Sequence, residues 1–167
     1  RKTVHAGEAY GPESIWQAIT QCHANRIGHG TFLFAHGMIQ DPAIEDPKKY
    51  VEELANYMAS QRIGVEVCVT SNLQTIPSLK SYAAHPIRRM IDHGLSVSLC
   101  TDNRLISNTT VSRETELVVE HARLTRAELK RVVIAGFKGS FFHGPFHEKR
   151  RFVSAVAARY DALEAAL

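Results

Sequence analysis

The chain has 167 residues, 44% of them hydrophobic and 22% charged, with a formal net charge of +3. That balance describes a globular domain with a real core and excludes a disordered segment. No apolar run approaches the ~20 residues a membrane helix needs, and the one basic cluster, Lys149-Arg150-Arg151, is better explained as a solvated helix face than as a nucleic-acid surface.

Taken in order, Thr3-Val4 reads as a brief buried strand, followed by a loop marked by Gly7 and Gly11. Pro12-Glu13 starts a helix over Glu13 to His23, with Ile15, Trp16 and Ile19 on its apolar face. Arg26-Ile27-Gly28 is a second short strand, and Gly28 and Gly30 flank His29 so that backbone can approach closely there. Thr31 to Ile44 is irregular. Asp46-Pro47 then caps a helix that buries Tyr50, Val51, Leu54, Tyr57 and Met58 and ends near Arg62.

Val65, Val67, Cys68 and Val69 form the clearest strand, apolar enough to be covered on both faces and closed by Thr70-Ser71-Asn72. His85-Pro86 opens a short helix carrying Ile87, Met90 and Ile91, stopped at Gly94. The fourth strand is Leu95 to Cys100, delivering Thr101-Asp102-Asn103. The remainder is helical: Ser112 to Ala122, a capping box at Thr125 to Glu128 opening the next helix, and an amphipathic helix from Pro145 to Leu167 with Phe152, Val153, Val156, Tyr160 and Leu163 on one side. Phe137, Phe141 and Phe142 are expected to fill core.

Strands alternating with helices imply βαβ units and a parallel sheet, either a small open sheet or half of an eight-stranded barrel. A whole barrel needs about 250 residues. The chain also opens without Met on a strand already in progress, which points to a piece of something larger.

The cysteines, Cys22, Cys68 and Cys100, contain no C-x-x-C pair and leave one thiol over. That favours a reducing compartment, the cytoplasm, over a disulfide framework, with Cys68 and Cys100 as core thiols.

In a parallel α/β protein, reacting groups collect at the C-terminal ends of strands. His5 and Glu8 lie at the first such end. They are either a backbone-bonded histidine and a surface carboxylate, or a ligand beside a general acid. His29 between two glycines reads as functional. Asp102, following an apolar run, must be paired, hydrogen-bonded or metal-bound, and Asn103 beside it offers a donor and an acceptor. Histidine and carboxylate donors with an open position suit catalytic zinc. The other histidines, His23, His36, His85, His93, His121, His143 and His147, have no expected chemistry. The chain has no His-x-His and lacks the H-x-E…P-C-x-x-C signature of cytidine-type deaminases.

His5-Ala6-Gly7-Glu8, Arg26-Ile27-Gly28-His29-Gly30, Thr70-Ser71-Asn72-Leu73-Gln74-Thr75, His85-Pro86 and Ser98-Leu99-Cys100-Thr101-Asp102-Asn103 occur in one order across most of residues 1–125. In this the chain resembles the C-terminal half of the adenosine deaminase family of zinc hydrolases. The resemblance implies an α/β fold, a (β/α)8 TIM barrel of which residues 1–167 supply the fifth to eighth strands plus extra C-terminal helices, the N-terminal half being absent. It also implies His5 and Asp102 as ligands of one Zn2+. Glu8 would protonate the purine ring nitrogen N1, and His29 and Asp102 would act on the attacking water, His29 helping to remove its proton. Adenosine and water would give inosine and ammonia.

Asn103 stands where most of the family has a second aspartate against purine N7, and an amide donates there without needing a proton. The expected partners are a purine nucleoside and an N-terminal half bringing a His-x-His strand, with neither nucleic acid nor membrane. Alternatives within the same chemistry are adenine, a modified adenosine or aminofutalosine. From another class, the chain could be a non-catalytic half-barrel binding module.

Overall fold

The computed structural model describes residues 1–166. Strands β1 (Thr3–Ala6), β2 (Arg26–His29), β3 (Gly64–Val67) and β4 (Ser96–Leu99) form one parallel sheet in chain order. Helices α1 (Pro12–Thr20), α2 (Pro47–Ser60), α3 (Val69–Thr75) and α4 (Ile87–Asp92) alternate with them. After β4 come α5 (Arg104–Ser107), α6 (Val111–His121), α7 (Arg126–Gly139) and α8 (Phe146–Glu164).

The strand order explains which residues are buried. Crossovers of one hand that never reverse direction lay their helices on a single face of the sheet. One row of side chains runs Val4, Ile27, Val65, Val97 and the next runs His5, Gly28, Glu66, Ser98. Ile27, Val65, Val67 and Val97 are at most 2% exposed and join one core with Ile15 of α1, Leu54 and Met58 of α2, Met90 of α4 and Val118 of α6. Each such aliphatic side chain contributes about 1.5–3 kcal/mol by leaving water.

The opposite face is polar. Thr3 Oγ1 donates to Glu66 Oε2 at 2.7 Å, and Arg26 Nε lies 2.9 Å from Glu66 Oε1. The third strand is therefore covered by core on one face, not two. Its burial alternates along Gly64-Val65-Glu66-Val67, and Cys68 and Val69, expected to extend it, instead lead into α3.

Local signals set the helix starts. Asp46 accepts the Lys49 N–H at 3.0 Å with Pro47 in the first turn of α2, and Thr125 and Glu128 form a reciprocal capping box on α7. The C-terminal expectations change more. Leu167 lies outside the described residues, and α8 buries none of its side chains; Phe152 and Leu163 are 40% and 53% exposed. Helix α8 packs on α7, which leaves Val153, Val156 and Tyr160 of its apolar stripe half-buried. Phe137 and Phe142 pack on Phe152 in a satellite cluster outside the main core, while Phe141 lies under the Arg26 guanidinium at 3.7 Å.

Candidate active site

The C-terminal ends of all four strands deliver polar groups to one place. β1 carries His5 on the polar face and runs on to Glu8. β2 ends on His29. β3 leads into α3, whose first turn holds Thr70, Ser71 and Asn72, and β4 leads to Asp102.

The donor atoms of His5, His29 and Asp102 all lie within 4.8 Å of one another. The His5 and His29 rings are 5.1 Å apart, and Glu8 Oε2 is 3.4 Å from His29 Nε2. Asn103 stands at the N-cap of α5, where its Oδ1 accepts the Ile106 N–H at 3.1 Å. With the oxygen so engaged, the side-chain NH2 is the group left to donate.

Two of these residues sit in the left-handed backbone region, His29 with φ of +67° and Asp102 with φ of +52°. Non-glycine residues held there cost about 1–3 kcal/mol each and collect at functional sites. The backbone does approach closely beside His29: a β-carbon on Gly7 would meet Gly30 Cα at 3.2 Å. At Gly28 a β-carbon would meet His5 Cγ at 3.4 Å, an ordinary contact, so the His5 ring does not itself demand glycine there. Gly30, with φ of +61°, faces inward, where a β-carbon would meet Val65 Cγ1 at 3.0 Å.

A layer of hydrogen bonds behind the cluster orients it. Ser71 Oγ donates to Asp102 Oδ2 at 2.7 Å. Asn72, fully buried, bonds His29 Nδ1 through its Nδ2 at 3.0 Å, and its Oδ1 accepts from Thr31 Oγ1 at 2.9 Å and from His85 Nε2 at 3.1 Å. His85 is thus not a bystander in a loop. It is 3% exposed and two bonds removed from His29. Ser71, Asn72 and His85 escaped the residue-level reading. The rule that picked out His5, His29 and Asp102, polar groups at a strand's end, also applies to Ser71 and Asn72; nothing local marks His85.

Burial holds His29 below the usual histidine range, partly opposed by the Glu8 carboxylate and reinforced by a positive charge on His5. Burial is also the main cause that lowers His85 to about 4, so that ring is neutral at pH 7. Burial pushes the Cys68 and Cys100 thiols up, which makes them inert rather than nucleophilic. The donor set at the strand ends, imidazole nitrogen and carboxylate oxygen, fits a zinc-type ion.

The model of the adenosine deaminase family matches residues 1–159. The chain belongs to the adenosine deaminase family. An adenosine deaminase from Escherichia coli (strain SE11) is 39% identical over 157 residues, which is 94% of this chain and 42% of that protein. Among solved structures, a Burkholderia ambifaria amidohydrolase with bound Zn superimposes with a TM-score of 0.80 at 25% identity, covering 99% of this chain and 42% of that one. The N6-methyl-AMP deaminase of Arabidopsis thaliana superimposes with a TM-score of 0.68 at 27% identity, covering 94% and 40%. This adenosine deaminase family chain therefore spans about two fifths of the length of the relatives it matches.

Proposed function

We propose that the chain forms strands five to eight of a (β/α)8 barrel, as the C-terminal half of an enzyme that deaminates adenosine to inosine and ammonia. The parallel sheet in chain order supports the barrel: the polar row bearing His5 and Glu66 is the face a second set of strands would enclose, with Arg26 at its foot already covered by Phe141. One observation carries the activity: His5, His29 and Asp102 converge within 4.8 Å beside Glu8, in a chain of this family.

Each residue has a task suited to its placement. Glu8 holds a proton for ring N1, which makes C6 electrophilic. His29 and Asp102 orient the water that adds at C6. The Asn103 NH2 donates to N7. Zinc, held by His5 and Asp102 together with donors from a His-x-His strand outside this chain, would supply a Lewis acid that lowers the pKa of water to about 7. The unpaired cysteines support a cytoplasmic setting for this chemistry.

The test is reconstitution. The chain alone is expected to leave adenosine unchanged, and inosine is expected to form once a zinc-loaded N-terminal half is added. Turnover by the chain alone overturns the half-site reading, and no turnover after reconstitution overturns the deaminase reading. A second substrate, a modified adenosine, is supported by the likeness to the N6-methyl-AMP deaminase. Ammonia and methylamine release from a panel of adenosine, adenine and N6-methylated nucleotides separates the two.

A further inference from the structure

The hydrogen bonds that converge on Asn72 fix more than its position. A backbone N–H can only donate, and the N–H of Ile87 meets His85 Nδ1 at 3.1 Å. His85 Nδ1 is therefore an acceptor, and in the neutral ring the proton sits on Nε2. That Nε2–H, 3.1 Å from Asn72, requires the amide oxygen to face it. The Thr31 hydroxyl, 2.9 Å from the same oxygen, turns to donate as well. With its oxygen so committed, Asn72 presents its NH2 to His29 Nδ1 at 3.0 Å. An NH2 group only donates, so His29 Nδ1 accepts and the His29 proton sits on Nε2.

We propose that His85 is a positioning residue that, through Asn72, fixes His29 as its Nε2–H tautomer, so that His29 enters the site as a hydrogen-bond donor and not as a metal ligand or a base. The consequence for catalysis rests on the deaminase reading; the tautomer itself does not. His29 Nε2 is the nitrogen nearest Glu8 Oε2, at 3.4 Å, and it faces the cluster shared with His5 and Asp102. Carrying a proton, it has no lone pair for a cation and cannot take a proton from water, although it can hold a water oxygen. The acceptors left in the site are the carboxylates of Glu8 and Asp102 and one ring nitrogen of His5. The opposite tautomer would turn Asn72 over, setting NH2 against the His85 Nε2–H, or else move the His85 proton to Nδ1 against the Ile87 N–H. Either arrangement puts two donors face to face in a buried place.

Long-range 1H–15N correlation spectra of the chain labelled at histidine nitrogens, recorded near pH 7, read the tautomers directly. His29 and His85 are both expected to carry the proton on Nε2, and a proton on Nδ1 of either ring overturns the proposal. Asn72→Asp replaces the NH2 by an acceptor and is expected to bring a proton onto His29 Nδ1; an unchanged His29 signal overturns the relay. His85→Leu removes the N–H toward Asn72 and is expected to admit the other His29 tautomer, while His85→Gln keeps an N–H there and is expected to leave His29 as Nε2–H; an unchanged His29 signal in His85→Leu overturns the role of His85. An Nε2–H signal in a reconstituted enzyme that fails to deaminate would sink the function and leave this inference standing.

Discussion

Ser71 and Asp102 are joined by a 2.7 Å hydrogen bond from the first turn of α3 to the loop that follows β4. Asp102 is exposed and held at a positive φ, so this bond is what aims its carboxylate at the cluster. Partners that orient a ligating side chain typically control metal affinity by about 10–100-fold. Ser71→Ala is therefore expected to weaken zinc binding by about that factor in the reconstituted barrel, measured by competition with a chromophoric chelator. Unchanged zinc affinity would remove Asp102, or its orientation by Ser71, from the proposed ligand set.

Glu8 is the carboxylate closest to His29, with Oε2 3.4 Å from Nε2, and it lies on the loop just after β1. Glu8→Gln keeps its shape and removes the transferable proton. Zinc and substrate affinity are expected to hold while kcat falls by about 10²–10⁴-fold, the usual range for a lost general acid. Stopped-flow turnover alongside inhibitor binding separates the two effects. Retained turnover would show that the N1 proton comes from elsewhere.

How much of this was legible beforehand follows from the range of each interaction. His5, Glu8, His29, Asp102 and Asn103 sit where apolar runs stop, and a stop is a local feature of sequence. The capping pairs Asp46–Lys49 and Thr125–Glu128 are local for the same reason. The His85–Asn72–His29 chain joins residues 13 and 43 positions apart, so no window of sequence contains it. Glu66 was hidden differently: one charged residue among valines looks like noise until the register sets it beside Arg26 and Thr3. The apolar stripe of α8 was readable as a stripe, but sequence periodicity does not say whether a neighbour covers it.

The buried histidines make stability depend on acidity. His85 titrates at about 4 in the folded chain and near its ordinary value of 6.5 when unfolded, so between those values the unfolded chain binds the extra proton. Stability then rises with pH through that window: it is fully present above about 6.5 and lost progressively as pH falls toward about 4. His29, shifted in the same direction, adds to the trend. Urea midpoints measured at intervals from pH 7.5 to pH 4.5 should fall more steeply for the unsubstituted chain than for His85→Gln. Parallel curves would mean that His85 is already accessible to protons in the folded state.

Glu114 tests what holds α3, and with it Ser71 and Asn72, in place. It lies fully buried in the first turn of α6, where Oε2 accepts the Thr70 N–H at 3.1 Å and Oε1 accepts the Thr109 hydroxyl at 2.7 Å. Thr70 N–H is one of the donors that the start of α3 leaves without a helical partner, so the carboxylate satisfies it from another element. Glu114→Ala would leave both donors unpaired beside a new cavity, a loss of roughly 2–4 kcal/mol. For a chain of this length that corresponds to a fall in Tm of about 5–15 °C. Glu114→Gln keeps the volume and one acceptor oxygen and should lose less. Because α3 carries both orienting residues, the alanine variant should also weaken zinc binding in the reconstituted barrel below its unfolding temperature. A melting temperature within about 2 °C of the parent chain, with zinc affinity intact, would show that α3 is anchored by its own packing and not by Glu114.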